Sequence, residues 1–239
     1  MAIYIYSIIV TVLFLFVIIL MFHYRITYKE KSIIEQKHLE IIASQIKPHF
    51  IYNVLNTIWY LCEKDPARAQ QAIDEFSEYL RGNLDALNLD DTVPFTWELN
   101  NIKNYLKLEK LRFGDELEVI YDIETTEFRV PALSVQPIVE NAVKHGVCAS
   151  EEGGKLVIST RENAKDYEIR VFNTGAMYDP HSRGGNKEIR SHVGIRNSRE
   201  RVRLMCGGTL HIASTDDKGT TVTIKIPRKN RNKKHREKG

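Results

Sequence analysis

Pro131-Ala-Leu-Ser-Val-Gln-Pro-Ile-Val-Glu-Asn-Ala-Val-Lys-His-Gly146 is the most informative stretch of this 239-residue chain. Its three-to-four spacing predicts a helix over Pro131–His145, with Ile138, Val139, Ala142 and Val143 facing inward. Glu140, Asn141, Lys144 and His145 then share the polar side. An amide oxygen such as that of Asn141 suits a hard cation like Mg²⁺, which keeps most of its waters and bridges to phosphates. Lys144, about one turn on, can bring positive charge to the same phosphates. Read by itself, the segment is equally well an ordinary amphipathic helix.

Its surroundings narrow the choice. Downstream, Lys155–Thr160, Tyr167–Phe172 and Thr221–Ile226 alternate as strands do, and Leu117–Ile123 does so upstream. A second helix is predicted over Val193–Met205, and the polar, glycine-bearing Asp179–Ser191 reads as a loop. Strands mixed with helices over this length predict an α+β sandwich of one sheet layer and one helix layer. Glycines stand where backbone could approach a ligand: Gly175 after a strand, Gly194 at the opening of a helix, and Gly219-Thr220 before the last strand. A helix N-terminus offers free N–H groups and a favourable dipole to phosphate. Any one of these glycines is weak evidence; their order carries the argument.

Before Gly114 the pattern is helical. Apolar residues keep three-to-four spacing from Ile33 through Ile58, and Asp65-Pro66 reads as an N-cap with proline at the first helical position. Ile73, Phe76, Leu80, Leu84 and Leu87 predict the apolar stripe of the next helix. Leu99, Ile102, Leu106 and Leu108 begin a third, which Gly114 ends. Three such helices suggest a bundle completed by a second copy. Within the first, Pro48 predicts a kink just before His49. His49, Asn53 and Asn56 share one face, and Phe50, Val54 and Leu55 are expected to turn toward the bundle. Neutral imidazole is nucleophilic near pH 7, so a histidine flanked by amides can be a nucleophile or simply a surface polar cluster.

The net charge of +3 averages unlike regions. Met1–Tyr24 carries no Asp, Glu, Lys or Arg and is dominated by Ile, Val, Leu and Phe, long enough to span a bilayer. It lacks the basic leader and small-residue cleavage site of a signal peptide. Arg25, Lys29 and Lys31 follow, which predicts a single-pass cell-membrane anchor with the rest of the chain cytoplasmic. After Pro227 the tail holds seven Lys and Arg against one Glu, suiting anionic membrane lipid. The region between is net acidic, so a uniformly basic nucleic-acid binder is excluded and no direct nucleic-acid partner is expected. Cys62, Cys148 and Cys206 have no paired spacing; buried thiols in a reducing compartment are expected.

Together these segments resemble the membrane sensor histidine kinases of the LytS/YehU/YesM type, from about Ser44 to Pro227. Gln45-Ile-Lys-Pro-His-Phe-Ile-Tyr-Asn53 is similar to the segment that holds the family's phosphoacceptor, which makes His49 that residue. Tyr105-Leu-Lys-Leu-Glu-Lys-Leu-Arg-Phe113 resembles the end of the family's helical region. Gln136–Gly146 resembles the N box of a GHKL (Bergerat-type) ATP-binding domain, with Asn141 holding Mg²⁺. Val193–Leu204, with Gly194, Asn197 and Arg201, resembles a later glycine box, and Gly219-Thr220 the last one. Two positions depart from the pattern. The first glycine box, usually D-N-G-x-G, here reads Asn173-Thr174-Gly175-Ala176-Met177, so an amide stands where an aspartate would meet adenine. His192 stands where glycine usually opens the second box.

Composition and charge predict a transmembrane anchor over 1–24 and a basic tail over 228–239, and the resemblance implies helical dimerisation and phosphoacceptor segments over 25–114 and an ATP-binding domain over 115–227. It implies an ATP-dependent protein-histidine kinase of a two-component system. His49, Asn53 and Glu140 are its expected catalytic residues, with Glu140 a candidate base. Asn141, Lys144, His145, Asn173, Gly175, Gly194, Asn197, Gly219 and Thr220 are expected to bind Mg²⁺ and ATP. A homodimer, a response regulator and a membrane sensor partner are the expected associates. The substitutions at Asn173, Met177 and His192 leave a second reading open, a membrane-tethered dimer that binds nucleotide weakly or not at all and modulates another kinase.

Overall fold

The described residues begin with a helical hairpin. A computed structural model describes residues 48–87, 89, 92–147, 153–175, 186–215 and 219–228. The expected anchor, the chain before Pro48 where a kink is expected, Cys148, Ala176, Met177 and the tail beyond Arg228 lie outside them. No helix among the described residues is long and apolar enough to cross a membrane.

Helix α1 (Pro48–Lys64) buries Phe50, Val54 and Ile58, each four residues after the last. Leu55, expected to turn inward, is 47% exposed, because the four-residue repeat places it beside the buried stripe rather than on it. Asp65 then caps helix α2 (Pro66–Leu87), its Oδ1 accepting the Arg68 N–H at 3.0 Å. Asp65→Ala is expected to cost about 1 kcal/mol in denaturant unfolding. Phe50 and Tyr79 stand nearly equal distances either side of Asp65, and their rings meet at 4.9 Å as the two helices fold back. Phe50 also packs on Tyr105 at 5.2 Å. Phe50→Ala should cost about 3–5 kcal/mol on the same measurement, since a buried aromatic loses both ring contacts and leaves a cavity.

Helix α2 corrects the expected stripe. Ala69, Ala72, Tyr79 and Ala86 are buried, whereas Ile73 and Leu84 are 48% and 45% exposed. The small side chains let α2 approach its neighbour closely. A Cβ at Gly82 would stand 2.4 Å from Asn101 Oδ1. Phe76 and Leu80 pack against the core as expected, and Ile73 and Leu84 are left on the outer surface.

That neighbour is α3 (Phe95–Phe113), reached through the short strand β1 (Thr92–Pro94). Its buried face carries Phe95, Leu99, Ile102, Tyr105, Leu106 and Leu108. β1 pairs antiparallel with β3 (Arg129–Pro131), and Phe95 stacks on Phe128, with Phe128 stacked in turn on Tyr167. Gly114, at φ +55°, ends α3 and returns its N–H to the Lys110 carbonyl.

The sheet follows: β2 (Leu117–Ile123), β4 (Gly154–Glu162), β5 (Asp166–Asn173), β6 (Thr209–Thr215) and β7 (Gly219–Pro227), in the order β2-β4-β5-β7-β6. β2 runs parallel to β4, and the other pairs are antiparallel. Alternation puts Leu156, Ile158, Ile169, Val171, Val222 and Ile224 inside. The helix layer is α4 (Gln136–Asn141), which widens into a π turn over Ala142–Gly146, and α5 (Asn186–Cys206). Ile138, Val139, Val143, Ile195 and Val202 from this layer join the same buried cluster. The α+β architecture is therefore the expected one. Two bounds differ: α4 starts at Gln136 because Arg129–Pro131 pairs as a strand, and α5 starts at Asn186, inside the expected loop. Cys62, expected to be buried, is exposed on α1, and Cys206 is intermediate; neither forms a disulfide.

Candidate active site

Four backbone segments converge on Asn173 at the end of β5. Asn173 is buried, and its Nδ2 donates to the Thr174 carbonyl at 3.0 Å. Thr174 is fixed in both directions: its N–H donates to the Lys155 carbonyl, and its Oγ1 accepts the Lys155 N–H at 2.8 Å. Glycine is required around this point. A Cβ on Gly146 would stand 1.9 Å from Asn173 Nδ2, one on Gly175 (φ +105°) 2.3 Å from the Gly146 carbonyl oxygen, and one on Gly219 (φ +89°) 2.0 Å from the Asn173 carbonyl oxygen. The π turn's end and the glycine segments of β5 and β7 are thus pressed into one floor. Thr220 adds a hydroxyl there, 2.8 Å from Ser214 Oγ. Gly219→Ala should destabilise the chain by about 2 kcal/mol or more in denaturant unfolding, combining left-handed strain with a clash.

Asn141 stands at the other end of the π turn, half-buried. Across from it stands Gly194: a Cβ there would meet nothing closer than Asn141 Nδ2 and Pro137 Cβ, both at 3.8 Å. A side chain there would stand in ordinary contact with the Asn141 amide, so α5 passes close by it at Gly194. An amide at one end of the π turn, an exposed lysine at position 144 and a glycine-built floor at the other end are a donor set that fits Mg²⁺ and phosphates. Asn197 is exposed on α5. His145 lies in the π turn.

Glu140 departs from its expected place on the polar side. It is buried, and its Oε1 accepts from Gln136 Nε2 at 2.9 Å. The same Nε2 donates to Asn83 Oδ1 at 3.2 Å, and Asn83 Nδ2 donates to the Tyr79 carbonyl. The carboxylate is drawn toward the helices because Gln136 and Asn83 offer it a polar path there. Tyr79 and Tyr105 feel it: burial first, then the negative charges of Glu140 and Glu109, push both phenols well above their ordinary pKa. They stay protonated at any physiological pH, and Tyr105 donates to Glu109 Oε1 at 3.0 Å.

His49 is exposed at the start of α1, with Nδ1 3.1 Å from Asn53 Nδ2. Asn53 is in turn held by its own turn of helix, its carbonyl accepting from Thr57 Oγ1 at 2.9 Å. The expected pairing of the two side chains on one face is present.

Sequence reasoning missed Glu98. It is fully buried on α3 and accepts three backbone N–H groups: Leu133 on Oε2 at 2.8 Å, and Val135 and Gln136 on Oε1 at 2.9 and 3.0 Å. Leu133 sits at φ +53°, a left-handed conformation that costs a non-glycine residue about 1–2 kcal/mol. Burial pushes the Glu98 carboxyl above its ordinary pKa, opposed by the three N–H groups and by the Arg201 charge. A signal was present: Phe95, Glu98, Ile102, Tyr105 and Glu109 repeat at three and four, so two carboxylates occupy core-facing positions.

Comparison with known proteins gives the arrangement a lineage. Residues 37–117 match the model of the histidine kinase family. Residues 132–230 match the histidine kinase-, DNA gyrase B- and HSP90-like ATPase family. An uncharacterized protein of Bacillus subtilis (strain 168), YwpD, is 40% identical over 192 residues, which is 79% of this chain and 69% of that one. The chain belongs to the histidine kinase family. Sensor histidine kinase YpdA of Escherichia coli (strain K12) is 36% identical over 82% of this chain and 35% of its own length. Sensor protein LytS of Enterococcus faecalis (strain ATCC 700802 / V583) is 27% identical over 83% of this chain and 35% of its own. The chain thus spans about a third of those two sensor kinases. The first match takes in His49 and α1 to α3, and the second takes in α4, Asn173, α5 and Gly219-Thr220, so both modules of an ATP-dependent histidine kinase are present.

Proposed function

We propose that this chain is a membrane-anchored sensor histidine kinase that phosphorylates His49 from Mg–ATP and passes the phosphoryl group to an aspartate of a response regulator. The observation that carries the proposal is the glycine floor around Asn173 at one end of the π turn, with the Asn141 amide at the other end beside Gly194 of α5. Asn173 spends its nitrogen on the Thr174 carbonyl, which leaves Oδ1 as the end that accepts from an adenine amino group. Gly146, Gly175 and Gly219 let backbone lie close beneath the nucleotide, with Thr220 beside them. Asn141 would hold Mg²⁺, which would neutralise phosphate charge. Lys144, with His145 and the Gly194–Asn197 segment, would surround the phosphates.

The chemistry at His49 follows from its neighbour. As placed, Asn53 Nδ2 donates to Nδ1; exchanging the amide's N and O makes Oδ1 the acceptor of Nδ1–H, the arrangement that fixes that tautomer and leaves the Nε2 lone pair free. Nε2 then attacks the γ-phosphorus as the bond to the β,γ-bridging oxygen breaks, and that bond's electron pair leaves with ADP. Glu140 lies buried on its bond to Gln136 Nε2 while His49 is exposed, so the Nδ1 proton passes to water at the helix start.

Exposed Tyr52, Leu55, Trp59 and Tyr60 on α1, with Ile73 and Leu84 on α2, support a homodimer formed through the hairpin. The organisation expected from sequence completes the proposal: an anchor over 1–24, helical segments to 114, an ATP-binding domain over 115–227 and a lipid-facing tail, with the catalytic parts cytoplasmic. A membrane sensor protein supplies the stimulus.

Incubating the full chain with γ-labelled ATP and Mg²⁺ tests the proposal. Label that is stable to base and lost in acid supports it. Absence of such label, together with no heat of Mg–ATP binding in calorimetry, would favour the non-catalytic dimer that modulates another kinase, a reading that Asn173 in place of an aspartate keeps in contention.

A further inference from the structure

Two oppositely charged side chains grip the turn that opens the N-box helix, and neither belongs to that turn. Glu98, from α3, takes the N–H groups of Leu133, Val135 and Gln136. Arg201, from α5, donates Nη1–H to the Ala132 carbonyl at 2.6 Å. The acid therefore meets backbone donors and the base a backbone acceptor, and the Ala132–Leu133 peptide unit is held at both poles. Their charges also act on each other, the Arg201 guanidinium favouring the ionised form of Glu98.

The grip lies just before α4. Helix ends leave backbone N–H groups without intrahelical partners, and a carboxylate there is favoured by the helix dipole. Here the carboxylate is fully buried and fixed on a neighbouring helix, so it sets where α4 begins. It also holds Leu133 in a left-handed conformation that leucine does not favour alone. Asn141 lies at the end of α4, with too few residues between for the helix to absorb a displacement of its start.

We propose that Glu98 and Arg201 are positioning residues that fix the N-box turn and thereby place Asn141 for the metal-bound nucleotide. The inference rests on the nucleotide-site reading above. It makes α3, a helix N-terminal to the ATP-binding fold, a working part of the nucleotide site. Asn173, on β5, stands on other supports, so contact with the nucleotide base should survive loss of the clamp while the metal-dependent part of the affinity falls.

The test is calorimetry of ADP binding to the full chain, with Mg²⁺ and with chelator, alongside KM and kcat for phosphorylation. Glu98→Gln presents an amide N–H₂ to a backbone donor on one side. Arg201→Met removes both charge and donor, and Arg201→Lys keeps charge and one donor. For Glu98→Gln and Arg201→Met, Mg–ADP affinity should fall about tenfold while metal-free ADP affinity stays within about threefold. KM for Mg–ATP should rise in parallel. Arg201→Lys should recover most of the loss. Unchanged Mg–ADP affinity in folded variants would overturn the proposal, and so would equal losses with and without metal, which indicate general loosening. Should Glu98→Gln lack a cooperative melt, the Arg201→Met and Arg201→Lys pair decides by the same criteria. No ADP binding by the unsubstituted chain would instead sink the nucleotide-site reading and the clamp with it.

Discussion

His49→Gln is expected to abolish acid-labile labelling from γ-labelled ATP altogether, while leaving Mg–ATP affinity within about twofold of the parent chain. The amide of glutamine keeps polarity and bulk at an exposed helix start but has no lone pair of imidazole basicity to attack phosphorus. Because His49 is exposed, the substitution should move stability by no more than about 0.5 kcal/mol. The separation of labelling from binding is what makes the experiment decisive. Residual label above background would mean that another side chain carries the phosphoryl group. Asn53→Ala gives a graded companion. It leaves the nucleophile but frees its tautomer, so labelling should slow roughly tenfold, the size of one lost hydrogen bond near 1.4 kcal/mol.

The second large effect belongs to Asn141. Asn141→Ala removes the amide proposed to hold the metal, and phosphorylation should fall at least about a hundredfold, since a metal clamp on transferring phosphate is worth several kcal/mol. Thermal unfolding in the absence of nucleotide should change little, because Asn141 is only half-buried and lies on the site side of α4. The stabilisation that Mg–ATP gives the parent chain should disappear with the affinity, as mass action requires. Retained stabilisation by Mg–ATP in Asn141→Ala would place the metal elsewhere.

Four of the five strands of the sheet were legible in sequence, and Leu117–Ile123 matches the observed strand at both ends; β6 (Thr209–Thr215) was not read. The N-cap at Asp65 and the glycine stop at Gly114 were legible because each depends on a few adjacent residues. The short β1 and β3 were not, because three-residue strands carry no period and exist only by pairing with each other. The inner face of α2 was read only in part: Phe76 and Leu80 pack against the core, whereas Ile73 and Leu84 do not. Periodicity finds the larger apolar residues, but alanine and glycine pack nearest to α3, so Ile73 and Leu84 are left for another surface. The position of Glu140 was hidden for a different reason. Whether a carboxylate on an amphipathic helix faces water or the interior depends on a partner, here Gln136 linked to Asn83, more than fifty residues away in sequence.

The ring column Phe95–Phe128–Tyr167 has one more neighbour, Arg228, whose guanidinium lies 5.5 Å from the Tyr167 centroid. The same arginine bonds Glu162 at 2.9 Å and the Lys165 carbonyl through its own N–H. The root of the basic tail is thereby moored two rings away from the first residue of α3. That mooring sits where β5 begins and β7 finishes, and Asn173 and Gly219 sit at the opposite ends of the same two strands. A load carried through Arg228 would pass along the rings to the first turn of α3 and leave the glycine floor unstressed.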